Sequence, residues 1–372
     1  MELKKKSRLS GIELLKLIAM FMIVISHSGP YYGNVCSESY VNLQMATTNI
    51  QNLLMVVFVY MGQIGNCLFL VCSTYFLLEQ ETVSWKKILY FLGDCLFFSV
   101  CFLAVFLAAG YHIPSMMILK QFFPTTFEFN WFVGCYLLLY VIHPALNLVI
   151  RNLSRERLLL VDLGGFLLYS VVQMVARDSF YYNRLIGFIL IYFLMAYSKR
   201  YMKNTCRDKR HNLIWLCLSV ILILGMILTT NVLGLYVDIF CDRMLYFSIF
   251  VNPLMIIMAF SAFYLFKEMQ FRNDIISLCA SVTLYIYVIH ENYLFANYAR
   301  PQYFEYIYQR FTYKHVAFWA LVLAAVCYIV SLFIGLVYQV TLAKVVHKVC
   351  DGLEKRLRKV AVKCVAFLEK WN

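Results

Sequence analysis

The sequence predicts an all-α polytopic membrane protein with about ten transmembrane helices and both termini in the cytoplasm. Three observations carry that prediction. Of the 372 residues, 62% are apolar and 14% charged, whereas a soluble domain holds about 25% charged residues and would aggregate with this much apolar surface. The apolar residues lie in long runs without the period-2 alternation of strands, and about 20 of them suffice to cross the hydrocarbon core as a helix. The basic residues gather in alternate loops, as the positive-inside rule requires.

The ten stretches are 12–29, 53–78, 86–109, 131–150, 157–175, 184–201, 212–233, 244–266, 275–294 and 316–341. The first follows Lys4, Lys5, Lys6 and Arg8 and has the outline of a signal peptide. Glu13 and Lys16 interrupt its apolar run, however, and no A-x-A site follows His27, so it reads as a retained helix. Lys86 and Lys87 open the third stretch, and Arg151, Arg155 and Arg157 separate the fourth from the fifth. The fifth and sixth share a loop crowded by Arg177, Asp178 and Arg184. Six basic residues from Lys199 to Arg210 precede the seventh, and Lys267 and Arg272 part the eighth from the ninth.

With the N-terminus inside, 26 of the 33 Lys and Arg residues fall on the cytoplasmic side. The outer loops keep Lys120, Arg177, Arg184, Arg243, Arg300, Arg310 and Lys314. The net charge of +13 is therefore an orientation signal and no footprint for nucleic acid. A multi-pass protein of the plasma membrane is expected, with the lipid bilayer as its first partner. Residues 1–341 form the membrane domain and 342–372 a basic, amphipathic cytoplasmic tail. In the tail Leu353, Leu357 and Val360 oppose Lys355, Arg356, Arg358, Lys359 and Lys363, a pattern suited to anionic lipid.

Most of the 13 cysteines sit within apolar runs, where thiols behave as small hydrophobes. No CxxC pair or Cys/His cluster of zinc spacing occurs, so no metal is expected. Cys36 and Cys241 are placed outside and leave open whether they pair. His112, His143, His211, His315 and His347 fall at span ends or loops and are expected to be solvated. Asp94 lies near mid-membrane with no partner visible in sequence.

Ionisable groups within a span cost about 2.5–3.5 kcal/mol each, so each one asks for a reason. The first helix has three. Glu13 and Lys16 are three apart and can pair across one turn. Lys16 and His27 are eleven apart, which puts them on one face and roughly 16 Å apart along the axis. One face thus carries a cation near the cytoplasm and an imidazole toward the other side. Snorkelling to the inner interface is the alternative for Lys16, and a hydrogen-bonded core histidine is the alternative for His27.

The run from Gly11-Ile12-Glu13 through Lys16 to Ile25-Ser26-His27 resembles the opening of the acyltransferase-3 family of membrane acyltransferases. That family starts its first helix with an acid, then a basic residue, then ten residues and a histidine. Lys16 stands where the family usually has arginine. Gly62-Gln63-Ile64-Gly65-Asn66, ending in Ser73-Thr74-Tyr75-Phe76-Leu77, is similar to its second helix, with Thr74 replacing the usual glycine. Asn130-Trp131-Phe132, leading to Tyr140 and Pro144, resembles its tryptophan-led helix. Leu284 through Ile289-His290-Glu291-Asn292 looks like its penultimate one.

The resemblance implies an acyltransferase domain over 1–341 that moves an acyl group, most often acetyl, from cytoplasmic acyl-CoA to a sugar hydroxyl. The acceptor it implies is a cell-envelope or exported polysaccharide. CoA carries phosphates, so its site should open inward and be lined by cations. Lys16, Lys86 and Lys87 are the candidates for holding acetyl-CoA, with ordinary positive-inside charge the alternative for the last two. His27 is the candidate general base, since an imidazole can take the proton of a weakly nucleophilic hydroxyl. Glu13, His290 and Glu291 complete the candidate catalytic set, and Glu291 is suited to orienting an imidazole. Asn130 and Trp131 are the candidate sugar-binding residues, with an interfacial anchor the alternative for Trp131. The rival class is a non-enzymatic transporter or flippase of a lipid-linked sugar. Such proteins show internal repeats and paired broken helices, whereas no repeat is visible here and prolines number only 6. A small exported metabolite is a further possible acceptor.

Overall fold

The computed structural model describes residues 10–29, 43–126, 130–176, 183–269 and 271–368. Cys36, Arg177 and Asp178 lie outside them. Among the described residues every regular element is helical.

Helix α1 (Ser10–His27) places Glu13 in its first turn, where an acid suits the helix dipole, and His27 in its last. Helix α2 (Ile50–Leu77) starts where the Asn49 side chain accepts the Gln51 N–H at 2.9 Å, and α3 (Trp85–Ala108) starts under a Ser84 cap. A short α4 (Ser115–Gln121) leads to α5 (Trp131–Asn152). Ser154 caps α6 (Arg155–Ala176), which contains a π-helical turn at Leu167–Val171. Asn183 and Asp208 cap α7 (Arg184–Tyr201) and α8 (Lys209–Tyr236). Then come α9 (Pro253–Lys267), α10 (Asp274–Ala280), α11 (Thr283–His290) and α12 (Arg300–Phe311). The chain closes with α13 (Val316–Val340) and α14 (Ala343–Leu368).

Seven of these helices are long and apolar enough to cross a membrane: α1, α2, α3, α5, α6, α8 and α13. The other three expected stretches are built differently. Helix α7 spans 184–201 as expected, but Arg184, Lys199 and Arg200 dilute its apolar character. The 244–266 stretch turns helical only at Pro253, because the Asn252 side chain accepts the Leu254 N–H at 2.9 Å and proline suits the first helical position. The 275–294 stretch breaks at Ser281 and Val282. There the Ser281 hydroxyl donates to the Leu278 carbonyl at 2.7 Å and competes with the helical pattern.

Helix α1 lies at the centre, packed along α2 and touching α9, α10, α11 and α13. Two glycines permit the α1–α2 approach. A Cβ on Gly62 would come 2.0 Å from Ser26 Oγ, and one on Gly65 would come 2.6 Å from the Ala19 carbonyl oxygen. Small residues at a helix contact allow backbones to close in this way. The Gly62–Gly65 pair therefore fixes the last two turns of α1, the segment that presents His27.

Candidate active site

His27 ends α1 and His290 ends α11, and the bundle brings them together across 263 positions of sequence. His27 Nδ1 lies 3.0 Å from His290 Nε2 and 2.9 Å from Glu291 Oε2. The two rings stack with centroids 5.3 Å apart. His290 is almost wholly buried, while the side chains of His27 and Glu291 keep 13% and 14% exposure. Access to the group is through His27 and Glu291.

The hydrogen bonds assign the tautomers. His290 Nδ1 faces the Ile286 carbonyl at 2.7 Å, and a carbonyl only accepts, so Nδ1 carries the proton. In neutral His290 the Nε2 is then a lone pair. Both partners of His27 Nδ1, that lone pair and the Glu291 carboxylate, are acceptors. His27 Nδ1 must therefore be the N–H, which leaves the basic lone pair of its ring on Nε2. Buried Arg300 steadies this arrangement by donating from Nη2 to the His290 carbonyl at 3.0 Å and to Glu291 Oε2 at 3.3 Å. Beyond Glu291, Asn292 bonds Gln121 at 3.3 Å, and Gln121 accepts from Ser99 at 2.7 Å. This chain of buried polar groups ties the end of α11 to α4 and α3.

His27, His290 and Glu291 also offer three donor atoms within 4.8 Å of one another, a spacing compatible with a metal ion. Sequence spacing could not reveal such a cluster, since two of its members are remote from the third. Arg300 on the same carboxylate oxygen supplies a positive charge there already and disfavours a second cation.

Lys16 belongs to a different part of α1. It lines a cavity of about 210 Å³ together with Ile23, Phe69, Ser73, Phe132 and Tyr287. The far end of this cavity is one turn from the histidines: Ile23 precedes His27 by four residues, and the Tyr287 ring meets His290 edge-on at 5.7 Å. The cavity thus runs along the α1 face that joins Lys16 to His27. A larger cavity of about 390 Å³, between α6, α7, α8 and α9, contains none of the candidate residues.

Around the Lys16 end is a cationic cluster whose other members, Lys199 and Lys267, were counted with the loop charge. Lys16 Nζ sits 5.2 Å from the Phe76 ring centroid, and Lys199 Nζ sits 3.9 Å from that of Tyr75. Lys267 Nζ approaches the Tyr75 and Tyr264 rings at 5.6 and 5.5 Å. Glu79 pairs with Lys199 at 3.0 Å and Glu268 with Lys267 at 3.5 Å. Charge and aromatic faces converge here from α1, α2, α7 and α9.

The remaining candidates are elsewhere. Glu13 accepts a hydrogen bond from Ser277 of α10, near the opposite end of α1 from His27. Lys86 is exposed and pairs with Asp351 of α14 at 2.8 Å, and neighbouring Lys87 is exposed too, so neither lines the cavity. Asn130 is buried and donates to the Pro124 carbonyl at 2.9 Å as it precedes α5. Trp131 packs against Phe132, Phe188 and Phe250, and the Arg184 guanidinium lies 4.7 Å from its ring centroid.

Two histidines expected in water are not there. His143 is fully buried with Nδ1 on the Tyr140 carbonyl at 2.5 Å, and His347 reaches Asp94. Arg300, counted as an outer-loop charge, is the missed member of the histidine cluster. A Glu-x8-Arg spacing across a helix break carries no recognisable signal.

A family described as an acyltransferase domain matches residues 9–338 of the chain. No curated protein and no solved structure matches it.

Proposed function

The chain belongs to the acyltransferase-3 family, and from that premise we propose that it moves an acyl group, acetyl by preference, from cytoplasmic acyl-CoA to a hydroxyl of a cell-envelope or exported polysaccharide. The observation that carries the reading is the directed tautomer of His27. Its Nδ1–H is committed to Glu291 and His290, so Nε2 is the ring's basic atom.

In the transfer, the acceptor C–O bond forms as the thioester C–S bond breaks. His27 Nε2 takes the hydroxyl proton as that bond forms and returns it to the departing thiolate. The imidazolium so created is stabilised by Glu291, whose carboxylate accepts from Nδ1 at 2.9 Å. His290 is a positioning residue: its tautomer, locked by Ile286, presents an acceptor to His27. Arg300 holds Glu291 in place.

The cavity from Lys16 to Tyr287 is the route for the apolar arm of the donor. Lys16, which lines it, and Lys199 and Lys267, which sit on the Tyr75 ring beside the Phe76 that Lys16 covers, take the donor phosphates, which must displace Glu79 and Glu268 from two of them. This reading puts donor recognition on the Tyr75–Phe76 cluster and leaves Lys86 and Lys87 outside it.

The test is transfer from radiolabelled acetyl-CoA by purified protein in nanodiscs, with polysaccharide from the producing cell as acceptor. Label should appear in the polysaccharide and vanish with His27→Ala. Transfer to a small metabolite alone would revise the acceptor. Transport of a lipid-linked sugar with no transfer at all would overturn the reading in favour of a flippase.

A further inference from the structure

The acid that the sequence left without a partner, Asp94, has three side-chain partners in the bundle. It sits on α3, 5% exposed. Its carboxylate accepts from Tyr338 of α13 at 2.6 Å and from Tyr285 of α11 at 3.0 Å. The third partner comes from the C-terminal helix: His347 Nε2 lies 3.0 and 3.3 Å from the two oxygens. The His347 ring stacks flat on Tyr90 of α3 at 4.0 Å. One turn on, Asp351 accepts from Tyr90 at 2.8 Å and pairs with Lys86 at 2.8 Å. Cys350 is buried against Gly93, where a Cβ would come 2.6 Å from its Sγ. The first third of α14 is thereby fixed to α3 in one rotational setting.

That setting determines which way the rest of α14 faces. Val345, Val349, Leu353 and Leu357 recur every four residues and are 48–70% exposed, so they form one stripe that the bundle does not cover. Lys344, Lys348, Lys355 and Lys359 fall on the strip beside it when residues are stepped at 100° each. From Ala343 to Leu368 there are seven Lys and Arg residues against two acids. Only Thr341 and Leu342 separate α14 from α13, a helix fit to span the membrane. An apolar stripe flanked by lysines, held at the end of a membrane bundle, matches an interface with acyl chains below and anionic headgroups beside it.

We propose that α14 is a binding surface for anionic phospholipid, aimed at the bilayer by the anchor of His347 on Asp94. Because Asp94 also holds Tyr285, the anchor joins this lipid-facing helix to α11, the helix that ends in His290. The proposal concerns 343–368, beyond the residues that match the acyltransferase family, and does not depend on acyl transfer.

Hydrogen exchange on the full chain tests it, in nanodiscs of phosphatidylcholine alone and of phosphatidylcholine mixed with phosphatidylglycerol. Amides of 352–368 should exchange about tenfold more slowly in the anionic discs, and high salt should narrow the gap. The charge-reversed variant Lys344→Glu/Lys348→Glu/Lys355→Glu/Lys359→Glu, which keeps the anchor, should lose the lipid dependence. Gly93→Ala, which pushes on Cys350, and His347→Ala should release 343–351 as well. Equal protection in both kinds of disc overturns the proposal, whether a second copy of the chain or the bundle itself supplies it. So does a charge-reversed variant that still responds to anionic lipid.

Discussion

Two histidine–carboxylate clusters lie among the described helices, and they are wired in opposite ways. At Asp94 the carboxylate is the hub: two tyrosines and His347 converge on it, and it holds four helices together, α3, α11, α13 and α14. At His27 the imidazole is the hub, and the carboxylate of Glu291 is one of two acceptors turned on the same Nδ1. The first arrangement saturates an acid. The second directs a base, because fixing the proton on one ring nitrogen fixes the lone pair on the other. A cavity ends one turn from the second cluster, whereas helix α14 covers the first. A buried histidine–acid pair is thus no sign of chemistry until its proton bookkeeping is traced to the backbone.

The largest effect that would break this contrast concerns the histidines themselves. His27→Ala should lower transfer by about 10²–10⁴-fold, the usual worth of a general base. His347→Ala should leave the rate within about threefold, because that ring only anchors. Similar losses in both, measured as initial rates on equally folded protein, would erase the distinction. His290→Ala sharpens it further. Without the acceptor at 3.0 Å, Nδ1 of His27 still has Glu291, so the expected loss in kcat is smaller, about tenfold, with donor KM unchanged.

Next in size are the donor contacts. Lys199→Ala and Lys267→Ala should each raise the acetyl-CoA KM by about five- to tenfold through loss of a charge-assisted phosphate contact. Lys86→Ala should leave it unaltered, since that side chain pairs with Asp351 away from the cavity. A KM that responds to Lys86 and not to Lys199 would move the donor site back to the third helix. Chelation is the companion test at the other end of the cavity. With Arg300 already on Glu291, removal of divalent and transition metals should leave the rate unchanged. Loss of activity on chelation, restored by one metal, would turn the proton relay into a metal site.

The first helix was legible as an element, and Glu13's place away from the histidines was not. Its first-turn acid, Lys16 and His27 stand out because an ionisable group in an apolar run is costly and therefore rare. His290 and Glu291 were legible through the resemblance of 284–292 to the penultimate helix of the family. Continuity was not, since hydropathy sums content over a window and is blind to one side chain that stops a helix. Asn252 beside Pro253, and Ser281 with its hydroxyl on Leu278, each broke a stretch that sums as a span. Partners were not legible either. Arg300, Lys199 and Lys267 look like ordinary loop charges until the helices converge, and Asp94 finds His347 only across 253 positions.

The smallest effect tests the rim of the Asp94 cluster. The Lys86 ammonium and the Tyr90 hydroxyl both bond the Asp351 carboxylate and hold it below the usual carboxylate range. The unfolded or undocked helix lacks these partners, so the pairing favours docking above the ordinary carboxylate value. It is lost as pH falls through the lowered one. Lys86 and Asp351 are both reached by water, which screens the pair and keeps its worth low. Asp351→Asn should therefore loosen exchange of 343–351 only slightly at neutral pH, far less than Gly93→Ala, and should flatten the acid dependence of that exchange. A variant as loose as Gly93→Ala would shift the weight of tail docking from the buried carboxylate of Asp94 to this exposed ion pair.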